Sequence, residues 1–235
     1  MGQKVRPTGF RTGIMMDWSS KWYASKADFS ELLVEDFKIR RFIRKKHPSG
    51  GISKMRIERT REKVVVFIYS ARVGSIIGKK GEKIDKLTRD LEHLTHRVIE
   101  VKTMEVNRPE TDPQLVAQDI GEQLEKRVSF RRTMKQAIQK AMENGAKGIR
   151  LQLSGRLGGA EMARCEKTME GSIPLSTLRA KVEYGFAEAS TAQGNIGIKV
   201  WVNNGDYLMT EEENENAANA QASKVQKKPT RQGKR

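Results

Sequence analysis

Residues 76–84 read Ile76-Ile77-Gly78-Lys79-Lys80-Gly81-Glu82-Lys83-Ile84, a Gly-Lys-Lys-Gly tetrapeptide set between two segments with helical apolar spacing. A helix, a turn of four residues and a second helix leave the chain little choice here. The glycines remove Cβ atoms where the backbone must turn sharply. They also let a sugar-phosphate strand approach, and the free N–H groups that open the next helix point at such an anion. Lys79 and Lys80 add two mobile positive charges, so the turn reads as a clamp for nucleic-acid phosphates.

The elements around this turn fix a domain. Phe29, Leu32, Leu33, Phe37, Phe42 and Ile43 recur at helical intervals over residues 28–46, with Asp28 placed to cap the first turn. His47-Pro48-Ser49-Gly50-Gly51 ends that helix. Alternation over residues 52–59 and the β-branched run over 63–69 predict two strands, the second more buried. After the turn, Ile84, Leu87, Leu91 and Leu94 mark a helix face, and residues 98–106 alternate as a third strand. The order is helix, strand, strand, short helix, glycine turn, helix, strand. It resembles the KH domain of the second type, an α+β unit of three strands and packed helices. That resemblance implies binding of single-stranded nucleic acid, with the turn on the backbone and an apolar groove for bases.

The charge balance agrees with a polyanionic partner. Of 235 residues, 45 are Lys or Arg and 29 are Asp or Glu, a formal net charge of +16. No apolar run approaches the roughly 18 residues of a membrane span, and MGQKVRPTGF has no apolar signal region. The chain therefore reads as cytosolic. Cys165 stands alone and His47, His93 and His96 complete no ligand set, so neither a disulfide nor a metal or cofactor site is expected. Cys165 reads as a small semi-buried thiol.

Residues 1–27 form a basic arm in which Pro7 and further glycines argue against a regular element; Trp18 and Trp22 read as anchors to the arm's own domain in preference to stacking platforms for bases. Residues 28–107 are the KH-like domain. Residues 108–113 are a linker ending in a helix cap at Asp112 with Pro113 at the first helical position. A second α+β domain occupies 114–207. Its first helix is marked by Val116, Ile120, Leu124 and Val128, and its second by Phe130, Met134, Ala137, Ile138 and Ala141, stopped by Gly145. Opposite that second buried face, Arg127, Arg131, Arg132, Lys135 and Gln139 share an arc without an acid, which a phosphate ligand explains better than solubility alone.

Residues 146–154 alternate as a strand. Ser154-Gly155-Arg156-Leu157-Gly158-Gly159-Ala160-Glu161 lacks the Gly-Lys-Ser/Thr ending of a nucleotide loop and reads as a tight turn before a short helix. Strands follow near 179–184 and 197–202, with a turn at Asn203-Asn204-Gly205-Asp206. Further phosphate candidates are Lys4, Arg6 and Arg11 in the arm, with Arg156, Arg164 and Arg179 in the second domain. Residues 208–235 carry an acidic stretch and then a basic one, and are expected to be disordered when alone. Such a tail either orders against nucleic acid or stays a solvated tether.

Gly2-Gln3-Lys4-Val5, the turn at 77–81, Phe130-Arg131-Arg132, Gly145-Ala146-Lys147-Gly148-Ile149, residues 154–161 and Leu178-Arg179-Ala180 together resemble the bacterial small-subunit ribosomal protein S-three family, over about residues 2–205. The resemblance implies a ribosome-bound structural protein of the subunit head that binds small-subunit rRNA. It implies packing against S-ten and S-fourteen, proximity to S-two, and a share with S-four and S-five in the mRNA entry tunnel. In that family the Phe-Arg-Arg helix helps to unwind structured messenger; matched residue by residue, its cations are Arg131, Arg132 and Lys135. Where the family commonly has a His, this chain has Ser176. No enzymatic activity, small-molecule substrate or membrane partner is implied. The competing reading is a free-standing KH regulator that binds short single-stranded RNA. A lyase using a Schiff-base lysine is less supported, because no Lys stands in an evident apolar pocket.

Overall fold

A β-branched strand gathers the first domain. In the computed structural model, which describes residues 4–60 and 63–207 with the side chains of Ser49 and Lys80 excepted, Val64, Val66 and Ile68 are buried at the centre of a sheet. Gly2, Gln3 and the tail expected at 208–235 lie outside the described residues.

The chain opens with α1 (Pro7–Arg11) and β1 (Ser20–Lys21), continues with α2 (Phe29–Lys46), and forms the hairpin of β2 (Ile52–Arg59) and β3 (Lys63–Ser70). Next come α3 (Val73–Ile77), α4 (Glu82–Thr95) and β4 (Val98–Glu105). The sheet order is β1-β2-β3-β4. β2 and β3 are antiparallel, with Ile57 opposite Val66, and β4 runs parallel to β3 with Val101 opposite Val66. Ile39 and Ile43 of α2, Ile76 of α3 and Leu87 and Leu91 of α4 cover one face of this sheet, packing on Met55, Ile57, Val66, Ile68 and Ile99.

Four expectations are corrected here. The arm is not irregular: Pro7 sits at the first position of a one-turn helix, where its missing N–H costs nothing. Ser20–Lys21 pairs in parallel with β2 and adds a fourth strand to the expected three. The buried face of α2 is also rotated from the expected one. Ile39, Ile43 and Asp36 are buried, whereas Phe29, Leu33 and Phe37 are 50, 54 and 63% exposed. Asp36 accepts hydrogen bonds from Ser20 Oγ and Trp22 Nε1, both at 2.9 Å, and pairs with the Arg59 guanidinium. A helix that buries a carboxylate in this way turns Phe29 and Phe37 outward, while Phe42 still packs on the core. Asp28 makes no cap with its side chain, which accepts instead from Ser25 Oγ at 2.7 Å.

Asp112 caps α5 (Pro113–Glu125), accepting from the backbone N–H groups of Gln114 and Leu115 at 2.9 and 3.1 Å. It also accepts from Ser53 Oγ on β2, and Gln118 Nε2 donates to the Ile52 carbonyl at 3.2 Å, so α5 is bonded to the first sheet. The helix stops at Glu125, which leaves Val128 exposed in the following turn rather than on the helix as expected. α6 (Phe130–Glu143) ends in the pattern its sequence announces: Gly145 takes φ +90°, with its N–H bonded to Met142 O and the next N–H to Ala141 O.

Four antiparallel strands follow: β5 (Gly148–Gly155), β6 (Arg164–Gly171), β7 (Ala180–Thr191) and β8 (Gly194–Asp206), in the order β6-β5-β8-β7. α5 and α6 cover one face, where Ile120, Leu124, Met134 and Ile138 meet Leu151, Ile198 and Val200. α5 crosses β7 so closely that a Cβ on Gly185 would lie 2.2 Å from the Pro113 carbonyl oxygen. β6 was not expected; its burial is low throughout because it forms the sheet edge beyond the helices. Cys165 on it is exposed, not semi-buried. The loop after β5 contains only a 3-10 turn at Leu157–Gly159, and the expected turn at 203–206 is the end of β8.

Candidate nucleic-acid interface

The Gly-Lys-Lys-Gly segment links α3 to α4. Ile76 and Leu87, fully buried, fasten its two sides to the first core. Gly78 has φ +74° and Gly81 has φ +84°, and Lys79–Gly81 form a 3-10 turn between them. A Cβ on Gly78 would approach Lys83 Cγ to 2.6 Å, whereas among the described residues nothing lies within 4 Å of one on Gly81, so that side of the turn is open to them. Lys79 is exposed; the Lys80 side chain lies outside the described residues. No described side chain caps the start of α4, and the Glu82 N–H is taken by the Lys79 carbonyl within the 3-10 turn. Glu82 and Asp85 in that first turn oppose an anion, which leaves the lysines as its main attraction.

On the α2 side of this turn lies a cleft of about 290 Å³ lined by Lys46, His47, Ser75, Lys83 and Lys86. Lys46 is bonded to Asp90, and Lys83 Nζ reaches the Ser75 carbonyl at 3.4 Å. Burial, then Lys46 and Lys83, hold the His47 pKa below its ordinary value, so the positive charge here comes from the lysines. The i, i+3 spacing of Lys83 and Lys86 was the available sequence signal for this cluster.

The arc on α6 forms as its periodicity requires. Thr133, Met134, Ile138 and Ala141 are buried, while Arg131, Arg132, Lys135 and Gln139 are exposed. Arg127 stands in the preceding turn at φ +61°. Among the described residues none of these four cations has an ion pair. Two guanidiniums lie over the Phe130 ring, with Arg131 Cζ at 5.7 Å and Arg164 Cζ at 5.6 Å from its centroid. A groove of about 640 Å³ runs between α6 and β6; Met134, Ile138 and Met142 line it, with Arg131 and Lys135 from α6 and Glu166 and Glu170 from β6. An acid-free arc on the helix thus faces carboxylates from a strand that the sequence did not announce.

Arg11 is a correction. Proposed from sequence as a phosphate contact, it is 0% exposed and binds protein instead. Its Nε donates to Ala180 O at 2.8 Å and its Nη2 to Thr177 O at 2.8 Å and Pro174 O at 3.3 Å. Arg156 is exposed but staples its loop, donating to Ala160 O at 2.9 Å and Gln193 O at 3.1 Å. Arg164 lies 3.6 Å from Glu166, and Arg179 lies 3.6 Å from Asp206. Lys4 and Arg6 are exposed on the arm, with Arg6 Cζ 4.8 Å from the Tyr184 ring centroid. Among the described residues no group of three His, Cys, Asp or Glu is placed to hold a metal, and no helix is long and apolar enough to cross a membrane.

These two halves match known families in chain order. Residues 38–111 match the family described as "KH domain", and residues 120–202 match "Ribosomal protein S3, C-terminal domain". The chain is 56% identical to small ribosomal subunit protein uS3 of Rhodopirellula baltica over 241 residues, with 100% of both chains covered. It is 54% identical to the uS3 of Alkaliphilus oremlandii over 211 residues, 89% of each chain. To that of Clostridium novyi it is 52% identical over 211 residues, 89% of this chain and 96% of the other.

Proposed function

The chain belongs to the small ribosomal subunit protein uS3 family, and from that premise we propose that it handles messenger RNA at the entrance of the subunit through α6. Family membership itself makes it a structural, RNA-binding component of the small ribosomal subunit and not an enzyme. The finer reading rests on one observation: Arg127, Arg131, Arg132 and Lys135 lie exposed without a carboxylate partner among the described residues. Cations held that way grip phosphates of a single strand, and salt release supplies the affinity. Translocation by the ribosome does the work, so unwinding of structured messenger is passive and needs no nucleotide site.

The remaining assignments follow the same logic. The turn at Gly78, Lys79, Lys80 and Gly81 is a phosphate clamp, and Lys4, Arg6, Arg164 and Arg179 are contacts to small-subunit rRNA. The outward face of α2, with Leu33, Val34 and Phe37 more than half exposed, is the surface for neighbouring proteins, which we take to be S-ten and S-fourteen. S-two lies nearby, and S-four and S-five complete the entrance beside α6.

The deciding experiment replaces Arg131, Arg132 and Lys135 with Ala in reconstituted subunits and times translation through a hairpin. Slower transit through the hairpin with normal speed on unstructured message is the expected result. Equal hairpin transit for the two kinds of subunit removes α6 from this role.

A further inference from the structure

The second sheet has one face packed by α5 and α6 and an opposite face on which the arm, with α1, lies against β7. On that opposite face the register sets Tyr184 opposite Trp201, Phe186 opposite Lys199, and Arg150 and Gln152 of β5 opposite Trp201 and Lys199. Side chains alternate across a strand, so these residues point away from the core that Leu151, Ile198 and Val200 fill. Tyr184 and Trp201 are tilted by 60° with ring centroids 5.4 Å apart. A cation steadies each of them: Arg150 Cζ lies 5.0 Å from the Trp201 ring, and Arg6 Cζ lies 4.8 Å from the Tyr184 ring. Phe186 beside them is 37% exposed.

The arm turns this face into a cleft. Lys4, Val5, Arg6 and Pro7 run along it and leave an open volume of about 540 Å³. Lys4, Arg6, Arg150 and Lys199 line that volume together with the three rings, and no carboxylate does. None of the four cations has an ion pair among the described residues. Four cations without an acidic neighbour in the cleft, beside three partly exposed rings, match a ligand that brings both negative charge and a flat π surface. An unpaired nucleotide brings both, its phosphate for the cations and its base for the rings. An acidic peptide would answer the charges and leave the rings unused.

We propose that this face is a stacking platform for an unpaired nucleotide of RNA, its base against Trp201 and Phe186 and its phosphates held by Lys4, Arg6 and Lys199. The platform lies across the sheet from α6 and in a different domain from the Gly78–Gly81 turn. It therefore reads bases where those two surfaces hold phosphates. Its action does not depend on messenger unwinding by α6.

Two measurements on the full chain test it. A single-stranded heptanucleotide carrying 5-bromouridine is irradiated with the protein and the adducts are mapped; the platform requires adducts at Trp201 or Tyr184. Binding of heptauridylate is then compared with binding of an abasic heptamer of equal charge. Combined Trp201→Leu and Phe186→Leu substitutions should weaken heptauridylate by about tenfold and leave the abasic strand unchanged, while Trp201→Phe retains binding. Adducts confined to residues 78–81 or to α6 overturn the proposal, as does an equal loss for both strands. No loss for either strand, the result expected if this face receives a protein segment, also overturns it. Should the leucine variant fail to fold, the adduct map of the unaltered chain decides.

Discussion

Arg11 Nε donates to the Ala180 carbonyl at 2.8 Å across 169 positions of sequence, joining the arm to the first residue of β7. Nine and eleven residues further along, Ser20 and Trp22 bond to Asp36 of α2. The arm is therefore a strap fastened to both domains, and its first fastener is an arginine that forms no ion pair among the described residues.

Replacing Arg11 with Met keeps much of the volume and removes the donors. The carbonyls of Ala180, Thr177 and Pro174 are left without them. Hydrogen bonds to a charged group contribute about 1.5–3 kcal/mol each, and losing three of them is offset in part because the desolvation cost of the buried guanidinium also goes, so a net loss of roughly 3 kcal/mol is expected, or about 6–12 °C in Tm for a chain of this size. Limited proteolysis should cut the arm faster. Unchanged melting with weaker RNA binding would instead return Arg11 to the role its sequence suggested.

Asp36→Ala should cost more. Asp36 and Arg59 have side chains 4 and 5% exposed, so the substitution strands a buried guanidinium. Removing one partner of a buried pair costs about 3–5 kcal/mol. Urea denaturation should show the midpoint falling accordingly, and replacing Arg59 with Leu in the same chain should recover part of the loss. A change below 1 kcal/mol in the single variant would mean that Glu35, 3.1 Å from Arg59, suffices alone.

These two residues show where the sequence was readable. Helix α6 announces itself because Phe130, Met134, Ile138 and Ala141 repeat at the helical period and Gly145 supplies the positive φ that ends it. The turn at Gly78 and Gly81 is equally local. Strand β6 is silent because it is an edge: with nearly every residue exposed, it needs no apolar alternation. Arg11 misleads for a related reason. A guanidinium looks the same in sequence whether it awaits a phosphate or three carbonyls that the chain supplies more than 160 residues later. The aromatic platform shares that dependence on register, since only the pairing of β7 with β8 brings Tyr184 and Trp201 together.

At the glycine turn the expectation concerns salt. Lys79→Ala removes one exposed charge from an open loop, so stability should move by less than about 0.5 kcal/mol. Affinity for a single-stranded RNA should fall, and the slope of log affinity against log salt should drop by about one. Gly78→Ala is the contrasting case. A Cβ there meets Lys83 at φ +74°, so this variant should lose stability as well. A salt slope unaltered by Lys79→Ala would remove this lysine from the phosphate clamp.

Glu183 carries the pH prediction. Burial raises its pKa above the usual carboxylate value; Asp112 pushes the same way, while Lys181 and Lys54 oppose it. Its carboxylate accepts one long hydrogen bond, from Asn204 Nδ2 at 3.4 Å. With the folded value raised and the unfolded value ordinary, the folded chain holds a proton through a window in which the unfolded chain has released it. Stability contributed by this group is present in full below about pH 4.3, the ordinary glutamate value, and is lost as pH rises through the folded value. Glu183→Gln keeps the shape and the acceptor but cannot ionise. Its Tm should exceed that of the unaltered chain at pH 7, and the two should converge as pH falls below about 4. Acid loss from paired carboxylates such as Asp90 and Glu100, whose pKa values are lowered by bonds to lysines, affects both chains alike and cancels in the comparison. Two Tm curves with a constant offset from pH 3.5 to 8 would show that Glu183 does not titrate differently on folding.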